Sequence, residues 1–90
     1  MVNNKVIREN EFMQKEKLQL LHTVATLKRL GGHDGLIAEL VERAKGNPED
    51  MLTGIPEELT RLQQGYRETS LGHRLLQECI DELEGVIANG

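Results

Sequence analysis

The chain has 90 residues, 38% of them hydrophobic and 29% charged, and its formal net charge is −4. This balance is typical of one small globular domain and excludes a chain that is disordered by composition. No apolar stretch approaches the roughly 20 residues of a membrane-spanning helix, and the acidic net charge argues against a general affinity for nucleic-acid phosphates.

The N-terminal segment is polar and charged, unlike a secretory signal, and the single cysteine, Cys79, cannot form an internal disulfide. Both features lead us to expect a cytoplasmic protein. Charge is divided unevenly along the chain: residues 1–45 hold eight Lys/Arg against six Asp/Glu, and residues 46–90 hold three against nine. Opposite signs favour pairing of the first and last segments, within one chain or between two.

The first predicted helix covers residues 5–30. Its apolar side chains recur at spacings of three, four and seven: Val6, Met13, Leu20, Val24 and Leu27. Gly31 and Gly32 can adopt the left-handed conformation that ends a helix. We therefore expect this helix to stop at residue 30.

Two shorter helices are predicted next, over residues 35–45 and 48–52. Asp34 is the expected N-cap of the first of these helices. Asn47 followed by Pro48 and two acidic residues is the pattern of a helix start. The helix that this pattern opens is short, because a glycine and a second proline follow within eight residues.

The last predicted helix covers residues 56–88 as one continuous segment, with its apolar side chains on a heptad seam. The alternative is a break near residues 69–72, because two glycines weaken the helix and Thr69 or Ser70 could cap a new one. An unbroken helix would be about 50 Å long, whereas a compact globule of this chain length is roughly 30 Å across. We therefore expect a partner to cover part of it.

The predicted fold is all-α, with one domain over residues 1–90. We expect a three- to four-helix bundle or a helical hairpin, in which the long first and last helices pair antiparallel. A chain of this size has few large side chains with which to fill a core. We therefore expect an oligomer, in which a second chain completes the burial of the aliphatic rows.

Two residue groups between the first and second helices could carry chemistry, and for each we prefer a structural interpretation. Gly31, Gly32 and Gly35 precede a helix, as in phosphate-binding loops, but no strand comes before them and no Lys-Ser/Thr pair follows. His33 and Asp34 are adjacent, but no third group is present that would orient them for acid–base catalysis. A tight turn and a helix cap account for these residues.

Three further patterns also favour structural roles. His73 and Cys79 are residue types that bind zinc, but their spacing of six places them on different helical faces. The segment 36–52 superficially resembles a helix-turn-helix, but its second helix would present acids to DNA. One acidic cluster on the last helix has the pattern of a solvated face: Glu78, Asp81, Glu82 and Glu84. We predict no catalytic residue, no cofactor, no metal and no enzymatic activity.

These observations favour a non-enzymatic protein–protein interaction module, such as a small cytoplasmic regulator, adaptor or chaperone. Its partner would be another protein or a second copy, in a hetero-complex or a homodimer, and not a membrane. The predicted packing surface takes residues from the first and last helices: Leu20, Val24, Leu27, His73, Leu76, Ile80 and Leu83. Whether these residues form a core or an interface stays open at this point.

The alternative function is that of a nucleic-acid-binding regulator that uses the basic first helix. The residues that would contact phosphates are four cations of that helix: Lys5, Arg8, Lys15 and Lys17. The acidic second half of the chain weighs against this alternative.

Replacing Leu76 or Ile80 by Asp should abolish folding or assembly, because a buried unpaired charge costs several kcal/mol. Circular dichroism, thermal melting and sedimentation measure the effect. Unchanged values in both variants would contradict the predicted packing surface.

Overall fold

A computed structural model gives the architecture of the chain. It describes the backbone of residues 4–46 and 50–89, and the side chains of residues 15–46 and 50–88. These ranges form four α-helices and no strand, so the predicted all-α class is confirmed for the described residues. The helices are α1 (Asn4–Leu30), α2 (Asp34–Arg43), α3 (Ile55–Gln63) and α4 (Leu71–Asn89). None of the described helices has the length and apolar character needed to cross a membrane.

The two glycines after α1 produce a sharp turn into α2. Gly31 and Gly32 have φ values of 76° and 83°, a backbone conformation that costs glycine little. The N–H of Gly31 donates to the carbonyl of Leu27 at 3.1 Å and closes the last turn of α1. Asp34 was predicted to be the N-cap of α2, but it is the first helical residue. His33 occupies the cap position and makes no side-chain capping bond.

The predicted helix over residues 48–52 begins outside the described residues. In its described part, Met51 and Leu52 lie in bends, not in an α-helix, and both side chains are buried. The carbonyl of Leu52 accepts a hydrogen bond from the N–H of Ile55 at 3.2 Å. This short segment therefore contributes apolar side chains to the core and leads directly into α3.

The prediction of one continuous helix over residues 56–88 is wrong. The helix ends at Gln63, and α4 begins only at Leu71, so the interruption starts earlier than the alternative break near residues 69–72. The hydroxyl oxygen of Ser70 accepts a hydrogen bond from the backbone N–H of His73 at 3.1 Å. This is the hydrogen bond that a serine makes at the N-cap of a helix. Because the chain reverses in this loop, α3 can fold back along α4.

The helices α1 and α4 pack antiparallel. Gln19 contacts Glu82 near the end of α4, and Thr26 contacts Cys79 one turn earlier. Leu30, the last residue of α1, lies close to the start of α4. Helix α2 packs along α1 and α3 along α4. The molecule is elongated, with principal extents of 52 × 23 × 19 Å.

Tyr66, in the loop between α3 and α4, joins three parts of the chain. Its hydroxyl lies 2.8 Å from Nε2 of His33, in the loop between α1 and α2. Its ring lies so close to Gly72 that a Cβ atom there would meet two ring carbons at 2.5 and 2.7 Å. The missing side chain of Gly72 therefore allows both loops to meet at the start of α4.

We expect Gly72→Ala to lower the free energy of unfolding by up to about 2 kcal/mol, because an overpacking cost of about 1–3 kcal/mol exceeds a helix-propensity gain of about 1 kcal/mol. Gly85→Ala, in the same helix, is the matched control, since its Cβ would meet no atom within 4 Å. That variant should gain about 0.5–1 kcal/mol. Urea denaturation measures both, and a stabilised Gly72→Ala variant would contradict the proposed role of the Tyr66 ring.

Candidate functional site

The structure places the predicted packing surface inside the core of a single chain. Six of its residues are almost fully buried: Leu20, Val24, Leu27, Leu76, Ile80 and Leu83. They face one another across α1 and α4, and the buried side chains of α2, α3 and the segment before α3 complete the cluster. The reversal before α4 makes this closure possible. These residues leave no surface for a partner in the folded chain, so a docking surface must lie elsewhere.

His73, the seventh residue of that set, is half-buried and contributes through its backbone. Its carbonyl accepts a hydrogen bond from Nε2 of Gln63 at 3.2 Å, and the same nitrogen donates to Gln77 at 2.9 Å. Gln77 in turn donates to Asp81 at 2.9 Å. The polar part of the seam is therefore an amide network between α3 and α4, and no bond of the His73 ring is part of it.

The α1–α4 pair has a second side, turned away from the core, which we call the outer face. Its residues follow each helix at spacings of three and four, so each set forms one row. The rows are Lys15, Leu18, His22, Ala25 and Arg29 on α1, and Leu71, Leu75, Glu78 and Glu82 on α4. Leu18 is 64% exposed and Leu71 60% exposed. Apolar side chains of this size in water are a feature of binding surfaces when they lie together.

A polar contact joins the two rows of the outer face. Nδ1 of His22 lies 2.9 Å from a carboxylate oxygen of Glu82, and the amide of Gln19 donates to the same oxygen at 3.1 Å. His22 and Glu82 are exposed to solvent, and Gln19 is half-buried. The contact fixes the register of α1 against α4 and shows that the two rows lie on the same side of the helix pair.

Charge is segregated between the two helices, and four of these charged side chains belong to the rows of the outer face: Lys15, Arg29, Glu78 and Glu82. Over residues 15–30, α1 exposes four cations, and its only acid in that range, Glu16, is buried. The cations are Lys15, Lys17, Lys28 and Arg29. Helix α4 exposes the acidic cluster predicted from the sequence, with Arg74 as its one base. The side chains of Lys5 and Arg8 lie outside the described residues.

Glu16 is the one charged side chain enclosed at the end of the core. It lies one turn before Leu20 and is only 8% exposed, and among the described side chains its Oε2 atom has no hydrogen-bond partner. Burial raises the pKa of its carboxyl above the ordinary value of a glutamate. A carboxylate held in this position opposes folding at neutral pH.

The thiol of Cys79 is buried between α1 and α4, where it donates to the hydroxyl of Thr26 at 3.3 Å. Burial raises the pKa of Cys79, and the negative charges of Glu82 and Glu78 raise it further, whereas the hydrogen bond with Thr26 lowers it. A thiol in this state is a poor nucleophile. In the part of the chain that the structure describes, no three His, Cys, Asp or Glu side chains converge as a metal site would require.

The described residues line two open clefts on the surface, among others. One, of about 410 Å³, is lined by Arg43, Gly46, Asp50, Met51 and Thr53. The guanidinium of Arg43 donates to the carbonyl of Thr53, so it already has a partner within the chain. The other cleft, of about 310 Å³, lies between α3 and Glu84. Neither described lining contains a His or a Cys, and the carboxylates that line the clefts, Asp50 in one and Glu57 and Glu84 in the other, are exposed to solvent.

We expect Glu16→Gln to raise the free energy of unfolding at neutral pH by about 1 kcal/mol, because the amide is neutral and its burial costs less than that of a carboxylate. An acid whose pKa is raised by folding binds protons more tightly in the folded chain. The native chain should therefore gain stability as the pH falls through the raised pKa, and the difference from the variant should vanish near pH 4.

Urea denaturation at several pH values measures the difference between the two chains. Glu68→Gln, in the exposed loop before α4, controls for the loss of one negative charge. A variant that is less stable than the native chain at pH 7 would show that the Glu16 carboxylate is favourably paired.

No family model, no curated protein and no solved structure matches this chain. The chemistry of its exposed residues is therefore the ground for a functional assignment. Among the described side chains, the outer face of α1 and α4 combines the most exposed leucines with segregated charge.

Proposed function

We propose that this protein is a non-enzymatic protein–protein interaction module, of the regulator, adaptor or chaperone type, which acts in the cytoplasm. The proposal depends on one observation: Leu18 and Leu71 are largely exposed, and they belong to the two rows that meet at the contact of His22 with Glu82. The register places them at opposite ends of the outer face, about 20 Å apart, so the partner would have to extend along the helix pair. Burial of one leucine side chain contributes about 1.5–3 kcal/mol. A partner that covers both would gain enough to hold a helical surface in place.

The arrangement of reactive groups supports a binding role over catalysis. The Cys79 thiol is buried and has a raised pKa, and Nε2 of His33 is engaged with Tyr66. His22 faces Glu82 in solvent, with no nucleophile in contact. The side chains that remain free on the outer face are leucines and charged groups, which suit recognition of another helix.

The partner would be another protein or a second copy of the chain, in a hetero-complex or a homodimer. Nucleic acid is the second candidate, favoured by the cations that α1 exposes over residues 15–30. Against it, the acidic row of α4 lies beside the basic row and would repel phosphates. The exposed leucines also have no role in phosphate binding.

Replacing Leu18 and Leu71 together by Ser should remove partner binding while the fold is retained, because neither side chain belongs to the core. Val41→Ser, an exposed apolar side chain on α2, is the matched control. Affinity capture from cells of the source, with quantitative mass spectrometry, compares the proteins held by each form. We expect proteins that the native chain and Val41→Ser hold and the double variant loses.

Two outcomes would contradict this proposal. One is that all three forms hold the same proteins, or none, and show no self-association. The other is that the native chain binds duplex DNA or single-stranded RNA in a salt-dependent manner, which fluorescence anisotropy at low salt would detect.

A further inference from the structure

We propose that the outer face binds a second copy of the same chain, with α1 of each copy packed against α4 of the other. This inference rests on the proposed function, and it names the partner and the surface. In such a dimer the twofold axis runs parallel to the helices, between the two outer faces. Four helices then alternate in direction around the axis.

Charge complementarity selects this arrangement. If α1 packed on α1 of the second copy, Lys15 and Arg29 would face cations. If α4 packed on α4, Glu78 and Glu82 would face acids. Only the pairing of α1 with α4 brings opposite signs together at both contacts, and like charges placed opposite each other oppose association.

The register of the single chain determines which groups would meet. His22 is level with Glu82, and Thr26 is level with Cys79. A rotation about an axis parallel to the helices leaves each residue at its own level along the helix. Arg29 would therefore lie within one helical turn of Glu78 in the second copy, whereas Lys15 would lie about two turns from the level of Glu82. The charged contact of this arrangement is therefore that of Arg29 with Glu78, and it occurs twice in the dimer.

The size of the outer face predicts a weak dimer. Residues 15–30 span about 24 Å of helix, and two packed helices are about 20 Å wide, which gives roughly 500 Å² per copy. About 1,000 Å² in total lies at the low end of specific interfaces. Self-association should therefore depend on protein concentration, and salt should weaken it because exposed charges contribute to it.

Sedimentation of the full chain over a range of concentrations, in about 0.05 M and 0.5 M NaCl, tests the inference. We expect a reversible dimer that dissociates more readily at the higher salt concentration. A native chain that is monomeric at every concentration in low salt would overturn the inference. The proposed function would still stand if that monomer bound another protein through Leu18 and Leu71.

Charge-reversal variants on the two sides of the proposed contact test the geometry of the dimer. Arg29→Glu alone and Glu78→Lys alone should each weaken self-association about tenfold, because each substitution places like charges together twice in a symmetric dimer. An equimolar mixture of the two variants should recover the native affinity, since each α1 then meets an α4 of opposite charge. Glu57→Lys and Arg61→Glu, two exposed positions on α3, form the matched control pair and should leave association unchanged.

Each other result would overturn the arrangement. Stronger self-association of Arg29→Glu would indicate α1 packed on α1, with cation repulsion relieved. Two variants that dimerise like the native chain would place the contact elsewhere, and so would a mixture that fails to recover. Circular dichroism verifies that each variant is folded. Sedimentation of the native chain at the two salt concentrations tests the same charged contacts without any substitution.

Discussion

Aliphatic side chains from α1 and α4 bury one another along an antiparallel helix pair, and the other elements are placed so as to close that contact. Helix α2 covers α1, and α3 returns along α4 because the chain reverses between them. Without the reversal, the apolar side of α3 would point away from the core. A chain of 90 residues with two aromatic side chains thus completes a core from leucine, isoleucine, valine and methionine.

The same helix pair has opposite properties on its two sides. The inner side is apolar and closed, and the outer side carries leucines within two rows, one with basic and one with acidic side chains. The contacts of Gln19 and His22 with Glu82 lie between these sides. They are exposed and contribute little stability, but they hold α1 and α4 in one register. Because the register is defined, the charged side chains of α1 and α4 have defined positions relative to one another on the outer face.

Part of this architecture could be predicted from the sequence. Gly31 and Gly32 end α1 by local backbone conformation, and the aliphatic periodicity identified the core residues of α1 and α4. The break before α4 was open as an alternative, and Ser70 caps α4 as that alternative expected. Its start at residue 64 could not be predicted, because the contacts of this loop are tertiary: Tyr66 packs on Gly72 and bonds a histidine 33 residues away. The spacing of residues along each helix indicates the outer rows. It does not establish that α1 and α4 are neighbours, and the two rows form one surface only because they are.

Tyr66 makes the two ends of the molecule different. At one end, its side chain joins the loop between α1 and α2 to the loop between α3 and α4 through the hydrogen bond with His33. At the opposite end of the described side chains, α3 no longer covers the α1–α4 pair. The buried carboxyl of Glu16, which has no partner among the described residues, and the half-exposed Ile87 lie there. Local unfolding should therefore begin at the Glu16 end and proceed toward Tyr66. Backbone amide hydrogens near Glu16 should then exchange with solvent before those near Leu30.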